Sequence, residues 1–291
     1  MEGIIKSIKE PKKKSELILL LLIISLIGAF IELSYGSVYA GVVFSGICLV
    51  LLYIISSGRR GRETGKSLIL MFTGAILIVA DLTYNCLSGS AIQTLDSMIL
   101  LLGASLIVAN SSNRRLSELG ALGTYMSLFF LVGFASLYII PSRLNIGIPY
   151  YYGHYLVALP VCALLKLFGL DLAVPEASII VVKGVELTRL KMDLACFGWY
   201  SMLLIVSTLL AYSIAIEPYR RDKLFKIILV LVGASYVANF LRVSILVVLA
   251  YYYGVETMMV FHSHLGWVLF AIILIPLMYV FLEREHPDKE S

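Results

Sequence analysis

Nine apolar runs fill most of this chain, and no other feature restricts its fold so sharply. They fall at about 17–35, 38–57, 67–87, 93–110, 117–140, 151–170, 196–216, 226–253 and 260–282. A helix rises about 1.5 Å per residue, so roughly 20 apolar residues cross a hydrocarbon core about 30 Å thick. Inside lipid each backbone polar group must be satisfied within its own segment, which makes helices the expected form. The chain is 60% hydrophobic and 14% charged, with a mean hydropathy of +0.93, well outside the soluble range. The expectation is an all-α polytopic membrane protein.

The cations set its orientation. Lys6, Lys9, Lys12, Lys13 and Lys14 precede the first run, which is too long for a signal peptide and is followed at once by another apolar run, so an uncleaved span with a cytoplasmic amino terminus is expected. If all nine runs crossed, the cluster Arg220, Arg221, Lys223, Lys226 would face outward, against the positive-inside tendency. The run 151–170, interrupted by His154, Pro160 and Lys166, best fits an interfacial or re-entrant segment. About eight crossings then leave both termini cytoplasmic, with 17 of the 23 Lys and Arg on that side. Ser178 to Val182 and Val185 to Leu190, flanking Lys183-Gly184, read as a short outer hairpin. The expected organisation is a five-span region over 1–140, a second region over 141–282 with an outer segment at 141–195 and three spans, and a cytoplasmic tail at 283–291. The modest net charge of +4, spread in clusters between spans, fits anionic headgroups rather than nucleic acid.

Three stretches carry chemistry. Cys196 opens a span, where a helix amino terminus and a nearby cation both favour the thiolate. The other three cysteines, Cys48, Cys86 and Cys162, read as apolar fillers of helices, and the four show no Cys-x-x-Cys spacing. Gly198 permits close backbone approach and Trp199 suits an interface. Arg242 stands inside a span, where a guanidinium costs roughly 2.5–3.5 kcal/mol at the centre, so something must use or neutralise it. Ser235 and Asn239 share its helical face. It serves to stabilise a developing oxyanion, to bind a substrate carbonyl or carboxylate, or as an ion-pair partner of Asp81, Asp96 or Asp193. His262 begins the last span and can move protons near neutral pH; His264 points to another face, His154 is a weaker alternative, and His286 lies on the cytoplasmic side. On the eight-span topology Cys196, Arg242, His262, Glu32, Asp81 and Asp96 all fall in the outer third of the membrane.

The order Ala195-Cys196-x-Gly198, Asn239-x-x-Arg242, and His262-x-x-x-Gly266-Trp267 with Phe270 beyond resembles the exosortase and archaeosortase family of membrane transpeptidases. Ala163-Leu-Leu-x-x-x-Gly169-Leu-x-x-Ala-Val is similar to that family's lead-in to its cysteine, and the likeness covers about residues 141–282. The resemblance implies a cysteine enzyme that recognises a carboxy-terminal sorting signal on secreted proteins, made of a short motif, one membrane helix and a basic cluster. It would cleave there and pass the acyl end to an acceptor, a membrane lipid in the archaeal branch. Cys196 carries over as nucleophile, Arg242 as the essential arginine and His262 as the third member. The family often has Ser or Thr after the cysteine; Phe197 stands here instead, and Gly198-Trp199-x-Ser201 favours the archaeosortase-like branch.

The expected function is therefore a membrane cysteine transpeptidase, with Asn239, Gly198, Ser235 and His264 in support and no metal or organic cofactor implied. Two readings compete with it. One is a solute or ion transporter pairing Arg242 with intramembrane acids; the other is an assembly subunit in which Cys196 is replaceable.

Overall fold

Long uninterrupted apolar stretches give helices throughout, as the backbone rule for lipid requires. The protein is described here from a computed structural model covering residues 18–30, 33, 38–58, 67–192, 196–216, 218–269, 272–273 and 276–277. The amino-terminal lysines, Glu32, the basic cluster at 59–66, Asp193, Ala195, Phe270, His286 and the 283–291 tail lie outside the described residues. In order come α1 (Ile18–Phe30), α2 (Val38–Gly58), α3 (Leu68–Ser88) and α4 (Thr94–Val108). Next are α5 (Arg114–Arg143) and α6 (Ile148–Leu167), then β1 (Leu172–Glu176), β2 (Ile179–Lys183), β3 (Leu187–Lys191), α7 (Trp199–Ala215) and α8 (Arg221–Leu269). The chain is mostly helical, and among the described residues four helices are long and apolar enough to cross a membrane by length and composition: α3, α5, α6 and the 221–262 part of α8.

Two compact units divide the chain. The first comprises 1–146 and 207–219, with a core that includes Phe44, Ile47, Leu51, Leu102, Leu128 and Ala211. Within it α4 has 15 residues, about 22 Å, so the run at 93–110 yields a helix shorter than a full crossing. The cause is local. Asn110 donates its amide to the Leu106 carbonyl at 2.7 Å and accepts the Ser67 N–H at 2.8 Å, which ties the helix end to the start of α3.

The second unit comprises 147–206 and 220–291. Here the run expected to be interfacial or re-entrant forms one continuous helix, α6, of 20 residues. Proline 160 is accommodated, not avoided: a π-helical turn at Gly153–Ala158 precedes it, loosening the ladder where its missing N–H and its ring would otherwise break the helix. In the first unit a second π turn, Ala135–Ile139, stands before Pro141 in the same way.

The expected hairpin is present and belongs to a three-stranded antiparallel sheet of order β1-β2-β3. Ile180 and Val182 are buried on its inner face. The loop is longer than the Lys183-Gly184 turn read from the sequence, because Lys183 pairs with Leu187 and Gly184, Val185 and Glu186 are drawn to α8 instead. Val185 N–H donates to the Tyr251 carbonyl at 2.9 Å, and Gly184 lies so close to that carbonyl that a Cβ would overlap it.

Helix α8 breaks at one residue. Gly254 has φ 81 and ψ 172, a region open in practice to glycine alone. Helix resumes at Val255, so the gap between the apolar runs at 226–253 and 260–282 shrinks to this single glycine, and Met258 and Met259 are helical. The Glu186 carboxylate accepts the Val255 N–H at 2.7 Å, filling one of the donors a helix start leaves open and placing negative charge at its positive end. The arms 221–253 and 255–269 then fold back on each other, since the Arg242 side chain reaches Gly266. Gly254→Ala should destabilise the protein by about 1–3 kcal/mol, read as a lower thermal midpoint in detergent. Glu186→Ala should lower it by less, by about 1 kcal/mol for a lost helix cap.

Candidate active site

The thiol sits on a turn that contacts from α6 and α8 hold in place. Cys196, Phe197 and Gly198 form this turn ahead of α7, and Gly198, at φ 74, is the residue that lets the backbone reverse there. Its carbonyl accepts the Met202 N–H at 3.2 Å and the Ser201 hydroxyl at 2.8 Å. Phe197 is fully buried, in edge contact with Tyr150 at 6.2 Å and against Gly153, where no side chain would fit. Phe197, which stands where the resemblance implies a hydroxyl, is used as a packing anchor. Trp199 packs on Tyr152 at 5.5 Å between ring centres.

The polar stripe on α8 supplies the remaining contacts. Asn239 donates its side-chain amide to the Cys196 carbonyl at 2.9 Å, and the Ser235 and Ser201 hydroxyls meet at 3.0 Å. A Cβ on Gly198 would stand 2.8 Å from the Asn239 Cβ and Cγ, so glycine is required by both dihedral and space. One turn further along, Arg242 donates to the His262 carbonyl at 3.3 Å, and its guanidinium lies over Gly266, where a Cβ would come within 3.2 Å of the arginine Cζ. Ser235, Asn239 and Arg242 are spaced i, i+4, i+7, one face of a helix; the first two hold the cysteine turn and the third reaches the last arm.

Cys196, Arg242 and His262 line one cavity of about 340 Å³, at the small end of ligand-binding pockets. Its walls are apolar where the two arms of α8 meet it, through Val243, Leu246, Val247 and Met258, and partly basic along β3, through Arg189 and Lys191. No carboxylate is among the described lining residues. His264 is exposed and does not line it. His154 is in edge contact with Tyr155 at 4.8 Å and is likewise absent from the lining.

Of the three acids weighed as partners of Arg242, Asp193 lies outside the described residues, and Asp81 and Asp96 have contacts of their own in the first unit. The buried Asp81 accepts the Asn85 amide on its carboxylate at 3.4 Å. Asp96 accepts the Gln93 N–H at 2.7 Å, closing a capping box at the start of α4. Sequence reasoning did not connect Arg189 and Lys191 with Cys196; their alternation on a strand leading to the cysteine was the available signal. It gave no role to Glu186, whose partner is 69 residues away.

Gly198→Ala should change the alkylation rate of Cys196 by iodoacetamide at least several-fold, and Asn239→Ala should do so to a smaller degree, since removing the partner of a part-buried carbonyl costs about 1–3 kcal/mol. Peptide mapping of the labelled protein checks both, and wild-type labelling rates in the two variants would contradict this account of the turn.

No curated protein and no solved structure matches the chain. A family model does match it: transmembrane exosortase, over residues 87–279. That stretch is about two thirds of the sequence and holds the cysteine turn, the α8 stripe and the His262 arm. The chain belongs to the transmembrane exosortase family, and so to the membrane transpeptidases that sort proteins.

Proposed function

We propose that this protein cleaves carboxy-terminal sorting signals of secreted surface proteins and transfers the new acyl end to an acceptor, a membrane lipid. One observation carries the reading: a cysteine, an arginine and a histidine from three separate stretches line a single cavity. Cys196 is the nucleophile. Its turn at the amino end of α7 favours the thiolate through the helix dipole, and Arg242 in the same cavity adds a positive charge.

The thiolate attacks the scissile carbonyl carbon, whose π electrons move onto the oxygen. Arg242 stabilises that oxyanion, an effect that in other enzymes is worth roughly 2.7–4 kcal/mol for a single donor. The intermediate collapses by breaking the C–N bond, and the leaving amine takes a proton from His262. A thioester on Cys196 remains. An acceptor hydroxyl or amine then loses its proton to His262 as it attacks the thioester carbonyl, and the thiolate departs. The contact of Arg242 with the His262 carbonyl keeps charge stabiliser and proton carrier in fixed register, because the arginine grips the backbone of the arm that bears the imidazole.

The active site opens to the outer face, with both termini in the cytoplasm; the excess of Lys and Arg in the segments then assigned to the cytoplasm supports this orientation. The substrate's own membrane helix would approach laterally from lipid, and the sheet would grip its motif.

The test uses a host secreted protein that ends in a motif, an apolar span and a basic cluster, with processing followed by gel shift. Cys196→Ala should abolish processing. Arg242→Ala and His262→Ala should each lower it by about 100-fold or more, with His264→Ala close to wild type. Processing by Cys196→Ala at the normal rate would end the cysteine mechanism, whereas loss with His264→Ala alone would move the proton carrier by two residues.

A further inference from the structure

We infer that the open edge of β3 receives an extended segment of the substrate as a fourth strand, and so delivers the scissile carbonyl to Cys196. The inference rests on the transpeptidase reading above.

The lining of the cavity supplies the first argument. A strand that meets a cavity with its face contributes every second residue. Here Thr188, Arg189, Leu190, Lys191 and Met192 line it consecutively, as happens where the cavity wraps around the strand's edge.

Hydrogen-bond phase supplies the second. The Met192 N–H donates to the Ser178 carbonyl at 2.8 Å. Bonded pairs alternate along an antiparallel ladder, so with the register Ile180↔Leu190 and Val182↔Thr188 these two are the bonded pairs. Arg189 and Lys191 therefore turn their N–H and C=O groups away from β2, on the strand whose residues line the cavity. Among the described residues no backbone partner meets them there.

The two edges of the sheet also differ. Strand β1 is broken by a register shift between Ala173 and Glu176, around Pro175, which is how exposed edges are ordinarily kept from pairing. Strand β3 has no proline and pairs in register throughout. Charged side chains such as Arg189 and Lys191 can also guard an edge, but these two line the cavity that holds the thiol. With Arg242 they make its described ionic lining wholly cationic, which suits a neutral or acidic segment and excludes a basic one. Five residues of strand span about 16 Å, and β3 ends five residues before Cys196.

The experiment uses the wild-type protein in vesicles and a synthetic tail peptide from a host secreted protein that ends in motif, apolar span and basic cluster. Each amide of the motif segment is N-methylated in turn. Strand addition predicts a period of two: methylation at alternate residues raises KM by about tenfold, the effect of one lost buried hydrogen bond, and the residues between tolerate it. On the enzyme side, Arg189→Pro removes both guanidinium and outward N–H while Arg189→Ala removes only the first, so the proline variant should show the higher KM of the two, with Cys196 still alkylated by iodoacetamide. A flat or single-site methylation profile overturns the strand. Turnover of the same peptide by Cys196→Ala would instead count against the cysteine reading itself, so the two failures are separable.

Discussion

The amide of Asn239 holds the carbonyl of Cys196 at 2.9 Å, and much of the site's geometry follows from that one bond. A thiol on a loop is a poor nucleophile if the loop wanders, and the turn at 196–198 has no regular structure of its own. It is fixed from α8 by a side-chain amide and a serine pair, and from α6 by the seat of Phe197 against Gly153. The helix that orients the cysteine therefore also carries Arg242, one turn away on the same face. A shift of α8 along its axis would move the support of the cysteine turn and the guanidinium together. That coupling places them in register without any contact between their side chains being required.

A second arrangement determines where the last arm sits. The reversal at Gly254 demands a dihedral that other residues avoid, and a sheet loop grips both sides of it: Val185 on the Tyr251 carbonyl before the break, Glu186 on the Val255 N–H after it. The loop thus sets the start of the arm on which His262 stands two turns later. The same hairpin lines the cavity through β3. Sheet, helix break and cavity form one mechanical unit, which explains why a small antiparallel sheet interrupts a chain otherwise made of apolar helices.

Much of this was legible in the sequence because lipid makes polar residues conspicuous. Ser235, Asn239 and Arg242 stood out inside an apolar run, and their spacing already gave a common face. Gly198 and Gly266 were noticed as motif residues, but the reasons for them, a left-handed turn against Asn239 and a seat for the Arg242 guanidinium, are tertiary. What stayed hidden was of two kinds. Strand β1 contains Pro175, which argues against a strand unless it lies at an edge with a bulge, as this one does. Glu186 has its partner 69 residues along the chain, and nothing in its local sequence announces it. Within the run at 151–170 the sequence shows Pro160 but not how the helix carries it: the π turn at 153–158 absorbs the proline and the helix continues. Family membership, resting on 87–279, covers the site and leaves out α1, α2 and most of α3.

The central claim is chemical: acyl transfer passes through a thioester on Cys196. Intact mass spectrometry of the protein quenched in acid during turnover tests it most directly. The account predicts a covalent adduct with the mass of the substrate's amino-terminal fragment, mapped to the peptide bearing Cys196 and released by neutral hydroxylamine. An adduct on any other residue, or full turnover with Cys196 never acylated, would contradict it.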